Sequence, residues 1–251
     1  QRLGFAPTMG NLHAGHIELI NVAKQRSDVI VASIFVNPMQ FGGNEDPDTY
    51  PRTLQEDLAK LQAAGTVAVF TPTTTDIYPE GLSHHTAVDV PGLTDVLCGA
   101  SRPGHFRGVT TVVSKLLGIV RPHVAAFGAK DLQQVLVIKK MVRDLSINTE
   151  IEVVPTVRES DGLAMSSRNG YLSHDERALA PLFSRTLEET AKLVAESGSD
   201  IGTLIAEGKA ILTDAGFVVD YLEARHTYDL SEASSLNQET AIFGAAFLGT
   251  T

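Results

Sequence analysis

Val29-Ile30-Val31-Ala32-Ser33-Ile34-Phe35-Val36 is an unbroken run of β-branched and apolar residues with none of the polar alternation of a half-exposed strand. Such a run is predicted to be a strand covered on both faces of a parallel sheet. Working outward, an apolar run at Leu3 to Ala6 and helical periodicity over Ile17 to Lys24 precede it and complete a βαβ unit. Downstream, Thr53 to Ala64 reads as a helix ending at Gly65, Val67 to Thr71 as a strand, and Val109 to Val120 as a helix. Val124 to Phe127 then reads as a strand, Leu132 to Leu145 as a helix and Ile151 to Val157 as a strand. This alternation predicts a Rossmann-like, doubly wound α/β sheet whose ligand crevice lies beyond the carboxyl ends of the strands.

After residue 157 the pattern changes. Ser173-His174-Asp175-Glu176 has the spacing of a capping box and is expected to start a helix running to about Glu196. A second helix follows from Ile201 to Asp214 with a stop at Gly216, and then strands over Val218 to Ala224 and Thr240 to Leu248. The expected organisation is a parallel-sheet ligand-binding domain over residues 1–157 and a small α+β lid over residues 158–251.

The 251 residues carry 30 acidic against 20 basic side chains, a formal charge of −10, and no basic stripe. That field repels polyanions and argues against a nucleic-acid partner. No apolar run is long enough to span a bilayer, and the opening Gln-Arg-Leu-Gly-Phe-Ala-Pro does not have the form of a signal peptide. Cys98 is the lone cysteine, which excludes an intramolecular disulfide framework and suits a reducing cytoplasm.

The chemistry gathers at expected strand ends. Pro7-Thr8-Met9-Gly10-Asn11-Leu12-His13-Ala14-Gly15-His16 places two histidines on one face at the start of a helix. Unpaired N–H groups and the positive dipole end there favour an anion, and the glycines let phosphate approach the backbone. Met165-Ser166-Ser167-Arg168-Asn169 offers two hydroxyls and a guanidinium in a loop after the last strand of the sheet. Taken singly, the first pattern is an ordinary amphipathic helix and the second a solvated turn; together they resemble the paired HIGH and KMSKS signatures of the nucleotidyltransferase superfamily.

Further segments join these two. Asn37-Pro38-Met39-Gln40-Phe41 brings neutral amides suited to hydroxyls and a carboxylate, though Asn-Pro is also a common turn. Phe127-Gly128-Ala129-Lys130-Asp131-Leu132-Gln133-Gln134 places Lys130 for phosphate and Asp131 for a ribose hydroxyl, or Asp131 simply for the helix dipole. Ser101-Arg102-Pro103-Gly104-His105-Phe106-Arg107-Gly108 reads equally as an anion contact or a dimer seam. Glu56 and Asp57 are candidates for Mg²⁺ through water, against a solvated helix face.

With Tyr50-Pro51-Arg52-Thr53 and Gly99, these segments resemble, in order and spacing, the pantothenate synthetase (pantoate-β-alanine ligase) family over nearly the whole chain. The resemblance implies ATP-dependent condensation of (R)-pantoate with β-alanine through a pantoyl adenylate, with release of AMP and pyrophosphate. It implies catalytic roles for His13, His16, Lys130 and Arg168, with His16 as proton donor, and ATP contacts from Met9, Gly10, Gly128, Asp131, Val157, Met165, Ser166 and Ser167. Gln40, Gln134 and Asn37 would hold pantoate, Gln40 would also touch β-alanine, and Mg²⁺ would ride mainly on the ATP phosphates with Asp57 nearby. A homodimer through the large domain is implied as well. The sequence departs from the family at Ala129, where an acidic residue is common, and lacks the family's usual opening strand and helix. Two other readings are a nucleotidyltransferase acting on a phosphorylated acceptor, which would need extra cations beside the neutral Gln40 and Gln134, and a nucleotide-binding module without turnover.

Overall fold

The β-branched run forms strand β2 over Val29–Ile34, with Ile30, Ala32 and Ser33 shielded from solvent. The computed structural model describes residues 1–42, 47–197, 200–235 and 239–251. Among them, β2 belongs to a five-stranded sheet of order β3-β2-β1-β4-β5 in which each neighbouring pair is parallel. The other strands are β1 (Leu3–Thr8), β3 (Ala68–Phe70), β4 (Val124–Gly128) and β5 (Glu150–Val154). The chain steps outward from β1 to β3, returns to the far side of β1 and steps outward again. The reversal between β1 and β4 is where an open α/β sheet forms its crevice.

Helices α1 (Ala14–Gln25), α2 (Leu54–Ala63), α3 (Thr74–Ile77), α4 (Cys98–Ser101), α5 (His105–Val120) and α6 (Leu132–Asp144) connect these strands. One face of α1 supplies Leu19, Ile20 and Ala23 to a core with Ala6, Ile30, Ala32, Leu61, Ala126 and Val154. α5 begins four residues before the apolar periodicity suggests, because Gly104 in the left-handed region at φ 84° caps its start. β5 stops at Val154 instead of Val157 since Pro155 has no N–H for a ladder.

The chain divides into two units, residues 1–95 with 102–157 and residues 96–101 with 158–251. In the second unit, Ser173 caps α7 (His174–Leu179) through the expected capping box with Glu176. The single helix expected from Ser173 to Glu196 is instead two, α7 and α8 (Pro181–Ser197), because Pro181 cannot donate to the preceding turn and so serves as the first residue of a new helix. α9 (Ile201–Asp214) and the antiparallel pair β6 (Val218–His226) and β7 (Thr240–Phe247) follow, around a core of Ala180, Leu212, Phe217 and Leu248. Cys98 of α4 lies in this unit, its Sγ 2.9 Å from the Tyr221 hydroxyl. Among the described residues no helix is long and apolar enough to cross a membrane.

Candidate functional site

At the end of β1, Gly10 and Asn11 take left-handed backbone, φ 88° and 51°, to turn the chain into α1. A side chain at Gly10 would meet Asp57 and Ile34 at 3.2 Å, so the close approach of α2 requires glycine there. Asp57 has no solvent exposure. Its carboxylate accepts the Asn11 N–H at 2.9 Å, the Leu12 N–H at 2.8 Å and the Thr53 hydroxyl at 3.1 Å. One turn along α2, the Lys60 ammonium donates to the Leu12 carbonyl at 2.8 Å. The two ends of one short stretch of backbone are thus gripped by opposite charges. This corrects the reading of Asp57 as a magnesium candidate: its oxygens are sealed from solvent and spent on the protein. Glu56 beside it is exposed.

His13 is the N-cap of α1, and its Nδ1 accepts the Gly15 N–H at 3.1 Å. His16 Nδ1 accepts the His13 N–H at 3.3 Å, closing a capping box built from two imidazoles with ring centroids 4.1 Å apart. An imidazole whose Nδ1 accepts carries its hydrogen on Nε2. Burial, then the neighbouring His13 and Lys130 charges, push His16 down from 6.5 to about 3; burial, then Lys130 and Lys60, lower His13 as well. Both rings are therefore neutral near pH 7, and each offers an Nε2–H to an anion. So placed, each ring can donate a hydrogen bond from Nε2.

The turn after β4 brings its groups to the same place. Gly128 ends the strand, residues 129–131 form one 3₁₀ turn, and α6 begins. The Lys130 ammonium lies 3.3 Å from the Asp131 carboxylate, and both charges act on His16. Asp131 makes no capping bond to α6. The first unit therefore joins Met9, Gly10, His13, His16, Lys130 and Asp131 across the β1/β4 reversal.

Asn37-Pro38-Met39-Gln40 leaves β2 as a 3₁₀ turn lying on α5. Gly108 of α5 makes that possible, because a Cβ there would stand 2.3 Å from the Met39 carbonyl oxygen. Asn37 is 1% exposed and fully engaged. Its Oδ1 accepts the Tyr78 hydroxyl at 2.7 Å and the Met39 N–H at 3.4 Å; its Nδ2 donates to Gln40 Oε1 and to the Gly108 carbonyl, both at 3.1 Å. An Asn side chain has two donors and two acceptor lone pairs, so none remains for a ligand. Asn37 is corrected from a direct substrate contact to a support for Gln40. Gln40 and Gln134 are half-buried, and next to Gln134 the buried Gln133 donates to the Leu93 carbonyl at 2.8 Å. The loop read as an anion contact or dimer seam braces this turn: His105 Nδ1 donates to the Gln40 carbonyl at 2.7 Å and Arg102 lies 3.2 Å from His105 Nε2.

Val157, the last residue of the first unit, lies beyond β5. Met165, Ser166, Ser167 and Arg168 belong to the second unit. There Ser166 Oγ accepts the Arg168 N–H at 3.2 Å and Asn169 donates to the Ala164 carbonyl at 3.0 Å, with Arg168 exposed. No group of three or more His, Cys, Asp or Glu able to hold a metal ion occurs among the described residues. Asp57, Tyr78 and Gly108 carried no signal in the sequence strong enough to assign these roles, because each acts on residues far along the chain.

A family model described as pantoate-beta-alanine ligase matches residues 1–251. The chain is 57% identical over 249 residues to a pantothenate synthetase of Shewanella amazonensis, covering 99% of this chain and 88% of that one. It is 53% identical over 251 residues to one of Pseudomonas putida, covering 100% and 88%. Among solved structures, pantothenate synthetase from Thermus thermophilus superposes with a TM-score of 0.95 at 43% identity, covering 100% of this chain and 91% of that one. Pantoate-beta-alanine ligase from Francisella tularensis, complexed with beta-gamma ATP and beta-alanine, gives 0.82 at 38% identity, covering 100% and 87%.

Proposed function

This chain belongs to the pantoate-beta-alanine ligase family, and on that premise we propose how its residues divide the two steps of the reaction. In the first, a pantoate carboxylate oxygen attacks the α-phosphorus of ATP and the bond to the bridging oxygen breaks, releasing pyrophosphate and leaving pantoyl adenylate. In the second, the β-alanine amine attacks the activated carbonyl; the bond to AMP breaks, the amine loses a proton, and pantothenate and AMP leave.

The observation that carries this reading is the pair of imidazoles, each accepting a backbone N–H at Nδ1 and so left with Nε2 for a ligand, at a helix N-terminus beside Lys130. Negative charge grows on the departing pyrophosphate, and donors already held in place stabilise it without reorganising. Bound phosphate would also raise the affinity of His16 for a proton, since an anion nearby favours the charged imidazole. Met9 and Gly10 would lie along the nucleotide, Gly128 and Asp131 would take the ribose, and the Val157 backbone would meet adenine. Ser166, Ser167 and Arg168, with Met165, supply the hydroxyls and guanidinium for further phosphate contacts. Gln40 and Gln134 would hold pantoate, and Gln40 would meet β-alanine.

The chain's carboxylates do not assemble a metal cage among the described residues, and Asp57 is committed elsewhere. Magnesium would ride mainly on the ATP phosphates. A homodimer working in the cytoplasm completes the proposal. The test is product analysis with ATP and pantoate, with and without β-alanine. Pantoyl adenylate and pyrophosphate without the amine, and pantothenate with AMP when it is added, are expected. A phosphorylated acceptor that becomes adenylylated with no AMP released would overturn the reading in favour of a nucleotidyltransferase.

A further inference from the structure

We propose that Tyr78 is a positioning residue that, acting through Asn37, holds the Gln40 amide with one face toward the acceptor substrate. The inference deepens the reading of Gln40 as a pantoate contact and rests on it. Two backbone groups fix the orientation of Asn37. The Met39 N–H can only donate, so it must face Oδ1; the Gly108 carbonyl can only accept, so it must face Nδ2. Tyr78 adds the shortest bond of the set, its hydroxyl donating to Oδ1 at 2.7 Å. With Asn37 held this way, its second Nδ2 hydrogen points to Gln40, whose amide must answer with Oε1 at 3.1 Å. The Gln40 Nε2 is then the end left for a ligand, and it rests 3.2 Å from the Met9 sulfur, a weak acceptor that a carboxylate or hydroxyl would displace.

The relay runs in one direction only. From Tyr78 each group donates to the next, and the last donor is the one left for the acceptor substrate. A site that ends in N–H reads lone pairs: it suits a hydroxylated carboxylate and leaves a donor-only group unpaired. Tyr78 itself has no freedom to reverse the sense. It is 2% exposed, its ring stands edge-on to His85 at 5.0 Å and against Phe35 at 6.4 Å, and the Lys115 ammonium lies 5.4 Å over its face. Lys115 is in turn 2.9 Å from His85 Nε2. Burial also pushes the phenol far above its ordinary range, so the hydroxyl keeps its proton and remains a donor.

Steady-state kinetics on the full chain test this with three variants. Tyr78→Phe keeps the ring and its packing and removes one hydrogen bond, so the pantoate KM should rise ~3- to 10-fold with kcat and the ATP KM unchanged. An analogue of pantoate lacking one hydroxyl should lose less on Tyr78→Phe than pantoate does, because a loosened Gln40 discriminates less. Asn37→Asp puts an acceptor where Nδ2 was, turns Gln40 to present its carbonyl, and should raise the pantoate KM further than Tyr78→Phe. Gln40→Ala separates the two levels. An unchanged pantoate KM in Gln40→Ala overturns the acceptor reading and the relay with it. A raised KM there beside unchanged KM and unchanged analogue discrimination in Tyr78→Phe overturns the relay alone, as does a Tyr78→Phe variant that only melts earlier.

Discussion

The loop after β1 and the loop after β2 leave neighbouring strands of one sheet, yet they are held in different ways. Charge holds the first: Asp57 takes the Asn11 and Leu12 N–H groups while Lys60 takes the Leu12 carbonyl. In the second, the amide of Asn37 is closed in by uncharged partners, the Tyr78 hydroxyl, the Gly108 carbonyl and the Met39 N–H. The difference follows what each must present. On the proposed roles, a loop facing a triphosphate must keep its donors rigid against a large anionic pull, and charge-assisted bonds are about twice as strong as neutral ones. A loop that must tell a lone-pair acceptor from a donor needs a fixed direction more than strength, and an amide relay supplies direction.

The largest effect should come from the charged loop's own donors. Replacing His16 or His13 with Ala removes one Nε2–H proposed to act on charge appearing in the transition state, and kcat/KM should fall by about 10² to 10³. The loss should sit in adenylate formation, read by pyrophosphate release, with pantoate affinity little changed. Turnover close to wild type in both variants would erase the distinction between the two loops.

Much of this contrast was invisible in the sequence, for reasons that particular residues make clear. The sheet was readable because Val29–Ile34 is covered on both faces and leaves no alternation. His13, His16, Lys130 and Gln40 were readable because they sit at the ends of strands that periodicity locates. Helix α7 was run into α8 because the apolar spacing continues through Pro181, where the missing N–H starts a new helix. Asp57 looked like a solvated helix carboxylate or a metal contact because its partners, Asn11 and Leu12, lie far back in the chain. Asn37 looked like a ligand because nothing local shows that Tyr78 and Gly108 use up its amide. Periodicity records which face is apolar; it does not record which polar atoms meet after folding.

Asp57→Asn is the next largest break. Asn keeps one acceptor oxygen and turns an NH₂ toward a backbone N–H, so at least one charge-assisted bond is lost and stability should drop by about 2 to 4 kcal/mol. Thermal melting measures the drop, and kcat should fall with the displaced histidines while the pantoate KM stays near wild type. A raised pantoate KM with normal kcat would show that the clamp serves the other loop. Gly108→Ala is the mirror experiment. Its methyl would meet the Met39 carbonyl and the Gln40 N–H, which must shift at a cost of about 1 to 3 kcal/mol. Here the pantoate KM should rise with kcat at saturating pantoate retained, and the opposite split would reverse the assignment of the loops.

The last expected effect is one of pH, and it separates the loops without touching a substrate. His16 is held at about 3 in the folded chain against an ordinary 6.5, so between those values the unfolded chain binds the extra proton and the folded one does not. Stability must then rise with pH through that window and fall as acid is added, by at most about 1.4 kcal/mol per pH unit for this one group. His16→Asn removes the titrating ring but keeps an oxygen that can accept the His13 N–H, so its stability should depend less steeply on pH from about 6.5 down to about 3. His13 is shifted in the same direction, and adding His13→Asn should flatten the curve further. Tyr78→Phe should leave the slope as in wild type, since the phenol is protonated throughout and Asn37 and Gln40 do not titrate. Denaturant midpoints measured across that range decide the matter: parallel curves for wild type and His16→Asn would mean that the histidine pair is not held neutral by its surroundings, and the charged loop would lose the feature that sets it apart.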